Sequence, residues 1–199
     1  ITGSIAAGPV HSGVTLYAYD TSGQLLGSTV IGADGRYTIT APVKGNYRGT
    51  VLLKVMDSNA AGSNYLDEVT ASNKSLDTTL RALGVAQEGQ LQFTVTGLDA
   101  HLIINITPLT ELAVRQAGVV GDVAVAATAA LQANANVAIA FGLAGVALTG
   151  EVITTNSGTF DARNGLSDAE KYGLALTKLS GLDSLNAGSM AVSLDLLAA

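Results

Sequence analysis

Three stretches of this chain set oxygen-bearing side chains close enough together to hold a cation or an anion. The first is Asp57-Ser-Asn59-Ala-Ala-Gly-Ser-Asn64-Tyr65-Leu-Asp67-Glu68, directly after the apolar run Val51 to Met56. Ca²⁺ takes about six to eight oxygens from carboxylates, amides and backbone carbonyls. Asp57, Asn59, Asn64, Asp67 and Glu68 offer such groups, with Gly62 for a tight turn. The spacing is not that of an EF-hand loop. The same residue types also build plain solvated turns, so a turn-rich loop is the competing reading.

The second stretch is Asp161-Ala-Arg-Asn164-Gly-Leu-Ser167-Asp168, in which Asp161, Asn164 and Asp168 could share a cation. A helix dipole favours an acid at Asp168, and Asn-Gly is a turn, so local structure accounts for these types equally. The third is Asn105-Ile-Thr107-Pro108-Leu-Thr110-Glu111, where a strand meets a helix start. Free N–H groups there suit a carboxylate, with simple capping as the alternative.

Enzymatic signatures are missing. There is no G-x-S-x-G elbow, no H-E-x-x-H and no Walker loop. His11 and His101 stand far apart in the chain, and a His base would need a nucleophile and an orienting acid brought close in space; the plain reading places His11 in a turn and His101 on a strand surface. Asp67 and Glu68 are adjacent, so on a strand they would point to opposite faces, a poor start for a glycosidase pair. The sequence therefore points away from an enzyme.

Composition narrows the partners. The 199 residues carry 10 basic and 16 acidic side chains, a net charge of −6, and no Cys. Thiolate sites and disulfides are excluded. Nucleic acid is not expected, because phosphates need a cationic footprint. An acidic, Cys-free, Lys-poor chain with abundant Thr and Asn suits an extracellular bacterial surface protein that meets Ca²⁺, and equally an ordinary acidic cytosolic domain. The start at Ile1, already strand-like, reads as a segment cut from a longer protein. The long apolar span Val123 to Leu148 has acidic flanks and a Gln-Ala-Asn-Ala-Asn centre, so no membrane insertion is expected.

The elements that must position these groups change character at Pro108. Before it, period-two runs read as strands: Val14 to Tyr19, Leu25 to Ile31, Arg36 to Thr40, Val51 to Met56, Ser75 to Leu83, Leu91 to Thr96 and Leu102 to Thr107. Ala33-Asp34-Gly35 suggests a hairpin between two of them. Val51 to Met56 reads as covered on both faces. After it come helices: one from Pro108 capped by Thr107, one over about 122–141, and one opened by the capping box Ser167-Asp-Ala-Glu170. The expectation is an α+β fold, an N-terminal antiparallel β-sandwich over 1–107 and a helical part over 108–199 packed on it as one compact module.

Gly3, Gly13-Val-Thr-Leu-Tyr-Ala-Tyr-Asp20 and Ala33-Asp34-Gly35-Arg-Tyr37-Thr-Ile39 resemble a carboxypeptidase-regulatory-like or transthyretin-like module. Tyr65-Leu-Asp67-Glu68, Leu80-Arg81-Ala82, Asn105-Ile-Thr107-Pro108-Leu-Thr110-Glu111, Gly165-Leu-Ser167-Asp-Ala-Glu170-Lys-Tyr172 and Leu179-Ser-Gly181-Leu-Asp183 resemble the peptide-binding domain of large repeats-in-toxin (RTX) bacterial adhesins. That resemblance implies a Ca²⁺-dependent, monomeric module near the end of a surface fibre. It would bind the C-terminal end of a protein on another cell, with Ca²⁺ helping to hold the carboxylate. The expected Ca²⁺ ligands lie between Asp57 and Glu68, with Asp161, Asn164 and Asp168 as second choice. Tyr65, Asn105, Thr110 and Glu111 are the candidates for peptide contact. A Ca²⁺-rigidified spacer and a carbohydrate-binding module are the alternatives, the latter weakened by 5% aromatics and no Trp.

Overall fold

The computed structural model describes residues 1–7, 10, 14–40, 47–57, 64–86 and 102–199. Four strands form an antiparallel sheet in the order β3-β2-β5-β8: β2 Val14–Tyr19, β3 Leu25–Val30, β5 Gly49–Asp57 and β8 Leu80–Ala86. Two short antiparallel pairs accompany it. β1 (Thr2–Ser4) pairs with β4 (Arg36–Thr38), and β6 (Tyr65–Leu66) pairs with β7 (Asn73–Lys74). The helices α1 (Pro108–Gln116), α2 (Ala127–Ala140), α3 (Asp168–Leu185) and α4 (Met190–Ala198) follow. The fold is thus mixed α and β, with sheets mainly N-terminal and helices C-terminal.

β5 is covered on both faces, as its sequence suggested. Leu53 and Val55 join the main core with Leu16 and Ile104. Leu52, on the other face, packs with Leu83, Val114 and Ala130 beneath α1 and α2. Alternate residues of a strand point to opposite faces, so both being apolar requires cover on both sides.

The Asp34-Gly35 turn does not make a hairpin. Gly35 adopts φ +73° and Asp34 Oδ1 accepts from the Arg36 N–H at 3.1 Å. The turn instead carries the chain from β3, paired with β2, to β4, paired with β1. Residues 102–106 are not a regular strand, but run parallel to β1 through bridges Thr2–Ile103 and Ile5–Ile106. The Tyr37 side chain crosses over Gly3 to donate to the Ile104 carbonyl, and a Cβ on Gly3 would overlap that carbonyl. The run Leu91 to Thr96, His11 and His101 lie outside the described residues.

α1 begins as its sequence requires, with Thr107 and Thr110 forming the reciprocal capping pair and Pro108 at the first helical position. α3 opens on the Ser167–Glu170 capping box and continues to Leu185. α2 starts only at Ala127 and has no side-chain cap. α4 was not foreseen. Its first turn is held by Ser189 and by Asp77, which accepts from the Ala191 N–H at 3.1 Å and the Ser189 hydroxyl at 2.7 Å.

Candidate functional site

The turn between β6 and β7 presses Asp67 and Glu68 against α3. Asp67 is 1% exposed. Its Oδ1 accepts from the Thr70 N–H and hydroxyl, each at 2.7 Å. Its Oδ2 accepts from Lys74 Nζ at 2.8 Å and the Ser180 hydroxyl at 3.0 Å. Burial alone would raise this carboxyl, but the hydrogen bonds from Lys74, Thr70 and Ser180 outweigh it and hold it at about 2. Both oxygens are thus spent on the chain's own donors, and an ammonium already stands where a metal would sit.

Two neighbouring acids are less well served. Glu68 Oε2 accepts from the Thr177 hydroxyl at 2.6 Å, while Oε1 is buried without a partner. Asp183, on α3, is 2% exposed and its Oδ1 also lacks a partner. Desolvation pushes both carboxyls above their ordinary range, and the charge of Asp67 adds to it. Asn64 is buried, and its Oδ1 accepts from the Leu76 N–H at 2.9 Å. Tyr65 is buried too; desolvation and the charges of Asp183, Asp67 and Asp77 raise its phenol. The Asp57 side chain and Asn59 lie outside the described residues.

The second set does not converge. Asp161 caps the short 3₁₀ turn Ala162–Asn164 by accepting from the Arg163 N–H at 3.0 Å. Asp168 pairs with Lys171 at 2.9 Å, and all three of Asp161, Asn164 and Asp168 are exposed. Among the described residues no group of three His, Cys, Asp or Glu side chains is placed to hold a metal ion. The described part of the expected Ca²⁺ set therefore does not fit a cation as it stands.

Of the peptide-contact candidates, Thr110 and Glu111 are interior. Thr110 Oγ1 donates to the Arg81 carbonyl at 2.8 Å. Glu111, 2% exposed, receives a fork from Arg81 at 2.7 and 2.9 Å and a third bond from Arg115 at 2.9 Å. Such bidentate pairing fixes geometry as well as charge. Asn105 differs, because it lines a surface trench. Its Oδ1 accepts from the Ser4 N–H and hydroxyl at 2.7 and 2.8 Å, and its Nδ2 donates to the Gly150 carbonyl at 2.6 Å.

That trench is open and measures about 1060 Å³. Its floor is the outer side of β4, β1 and the 102–106 segment, with Thr2, Ser4 and Thr38 presenting hydroxyls. Val30 at the end of β3 and Val152 stand at its borders, and Ile103 projects from the floor, 59% exposed. Arg36 and Glu151 bring opposite charges. Arg36 is largely free, since its ion pair with Asp34 spans 4.0 Å between exposed side chains.

Neither family models, nor curated proteins, nor solved structures give a match to this chain. The trench thus stands on its own geometry. Sequence reading missed it because its residues come from distant segments and are individually ordinary Thr, Ser, Val and Ile. Arg36 was the available signal, a lone base beside an Asp-Gly turn. Lys74, Ser180 and Asp183 were missed for a similar reason, since only the packing of α3 on the β6–β7 turn brings them to Asp67.

Proposed function

We propose that this chain is a calcium-dependent peptide-binding module of a bacterial surface adhesin. It works outside the cell as one monomeric module of a longer protein. Its ligand is the C-terminal end of a protein on a partner cell. The observation that carries the reading is the trench: concave, mixed in polarity and, at about 1060 Å³, large enough for a short peptide. The motifs resembling the adhesin peptide-binding domain agree with it.

The Ca²⁺ of this reading belongs to the Asp57 to Glu68 loop, of which the Asp57 side chain and Asn59 lie outside the described residues. Glu68 Oε1 is the described carboxylate oxygen of that loop that has no partner. When bound, Ca²⁺ would supply positive charge to a ligand carboxylate that the −6 chain would otherwise repel. We further propose that the two sheets face each other as a sandwich. In support, Ile104 beside β1 packs so closely on Gly84 of β8 that a Cβ there would overlap its side chain.

Calorimetry tests the function with hexapeptides of random sequence, in Ca²⁺ or in chelator, with free or amidated C termini. Binding should need both Ca²⁺ and the free carboxylate. Undiminished binding of amidated peptide in chelator would reject the mechanism. A melting temperature that rises with Ca²⁺ while no peptide binds would replace it with the spacer reading.

A further inference from the structure

The four-stranded sheet has two edges, and the chain treats them differently. In β8 the register with β5 turns the backbone groups of Arg81 and Leu83 outward. Both carbonyls are closed by side chains, Arg81 by the Thr110 hydroxyl at 2.8 Å and Leu83 by Asn134 Nδ2 at 3.0 Å. α1 and α2 thereby cap that edge.

β3 has no such cover among the described residues. The Ile31 N–H donates to the Val14 carbonyl at 3.1 Å, which makes Val14–Ile31 a hydrogen-bonded pair. By alternation, Leu16–Thr29 and Ala18–Gly27 are hydrogen-bonded pairs as well, and Ser28 and Val30 direct their N–H and C=O groups away from β2. Among the described residues the Val30 carbonyl meets only the neighbouring Thr29 hydroxyl, at 3.4 Å. The strand reads Leu-Leu-Gly-Ser-Thr-Val, without a Lys, a charge or a Pro to blunt it. A bare apolar edge of this kind invites a further strand.

The edge meets the trench at Val30, and two more trench residues carry the same kind of group. Thr38 faces out from β4, because Ile1–Ile39 is the hydrogen-bonded position beside it. The N–H and C=O of Ile103 make no backbone hydrogen bond among the described residues. Strand spacings of about 3.3, 4.8 and 10 Å give an extended residue roughly 160 Å³, so the trench holds about six residues. Arg36 offers one end of such a segment a positive charge, and Glu151 offers a negative one.

We infer that the β3 edge and the adjoining trench form a strand-addition site for an extended peptide of about six residues. Its main chain pairs with Ser28 and Val30, an apolar side chain meets Ile103, and a carboxylate lies towards Arg36. This rests on the peptide-binding reading and names the place where it acts.

The test uses the intact chain in Ca²⁺ and a pool of random hexapeptides with free C termini. Peptides retained by the protein are sequenced, and one is added to labelled protein for amide hydrogen exchange. The Ser28 and Val30 amides should exchange about tenfold more slowly with peptide bound. Val30→Pro removes an outward N–H without breaking a bond to β2, and should weaken binding about tenfold with the melt unchanged. Arg36→Gln should weaken it similarly and is safe for folding, because the side chain is exposed. Retained peptides that leave both amides unprotected and ignore both variants overturn this site and leave the module reading standing. No retained peptide overturns both. Protection that grows with protein concentration alone overturns the peptide in favour of a second copy of the chain.

Discussion

Protonating Asp67 should remove about 2 kcal/mol from the stability of the fold. In the folded chain its carboxyl sits at about 2, against an ordinary value of 3.8. A gap of nearly two pH units corresponds to ~2.4 kcal/mol, and partial exposure of Lys74 trims this to about 2. The folded value is depressed, so the contribution is fully present above the unfolded value near 3.8. It is lost as pH falls towards 2. Asp183 and Glu68 act with the opposite sign. Their folded values are raised, so they favour the fold most at low pH and lose that contribution as pH rises through those values. The wild-type profile therefore blends the two, and Asp67→Asn is needed to separate them. Urea unfolding of wild type and variant from pH 2 to 6 gives the difference directly. It should be smallest near pH 2 and grow by about 2 kcal/mol by pH 6. A difference flat across the range would refute the argument, as would a variant more stable than wild type at pH 6. The same variant bears on the cation reading. With both Asp67 oxygens bound by Thr70, Lys74 and Ser180, any rise of the melting temperature with Ca²⁺ should survive in Asp67→Asn.

Other substitutions probe the remaining buried groups. Glu111→Gln leaves two guanidinium groups without their shared carboxylate and should cost about 3 kcal/mol, a fall of about 6–12 °C in a thermal melt, with peptide affinity unchanged. Asp183→Asn removes a desolvated charge and should raise the melting temperature by a few degrees at pH 7, about 2 °C, with a smaller effect at pH 4. Gly173→Ala forces a methyl group into the Ile153 carbonyl and should cost about 2–3 kcal/mol by urea unfolding. Gly181→Ala in the same helix meets nothing within 4 Å and should gain about 0.5–1 kcal/mol.

Much of the fold was legible from local signals. The Thr107–Pro108 and Ser167–Glu170 starts depend only on side chains reaching the nearest N–H groups, and both formed as their sequences require. The two-sided cover of β5 followed from apolar residues at consecutive positions. The Asp34-Gly35 turn shows where local reading stops. A turn of that type joins two strands, but it does not decide whether they pair with each other. Here β4 pairs with β1 rather than with β3, so the turn carries the chain from one sheet to another, and no described residue pairs with the outer edge of β3. α4 escaped notice because much of its N-terminal hold comes from Asp77, more than a hundred positions earlier.

The candidate site was legible in its residue types and not in their use. Oxygen-rich stretches suggest cation sites because isolated carboxylates in water would welcome one. Folding supplies the alternative. Lys74 and Ser180 reach Asp67, Arg81 and Arg115 reach Glu111, and Lys171 reaches Asp168, so these acids are met by the chain's own donors. Arg36 is placed differently. The turn that takes the chain from one sheet to the other sets it in solvent, 4.0 Å from Asp34, beside strand edges that no described residue closes. The crossover that replaces the expected hairpin thus sets side by side a strand edge that no described residue covers, a trench and the cationic Arg36 at its border. An extended peptide with a carboxylate answers all three, whereas an ion alone answers only the last.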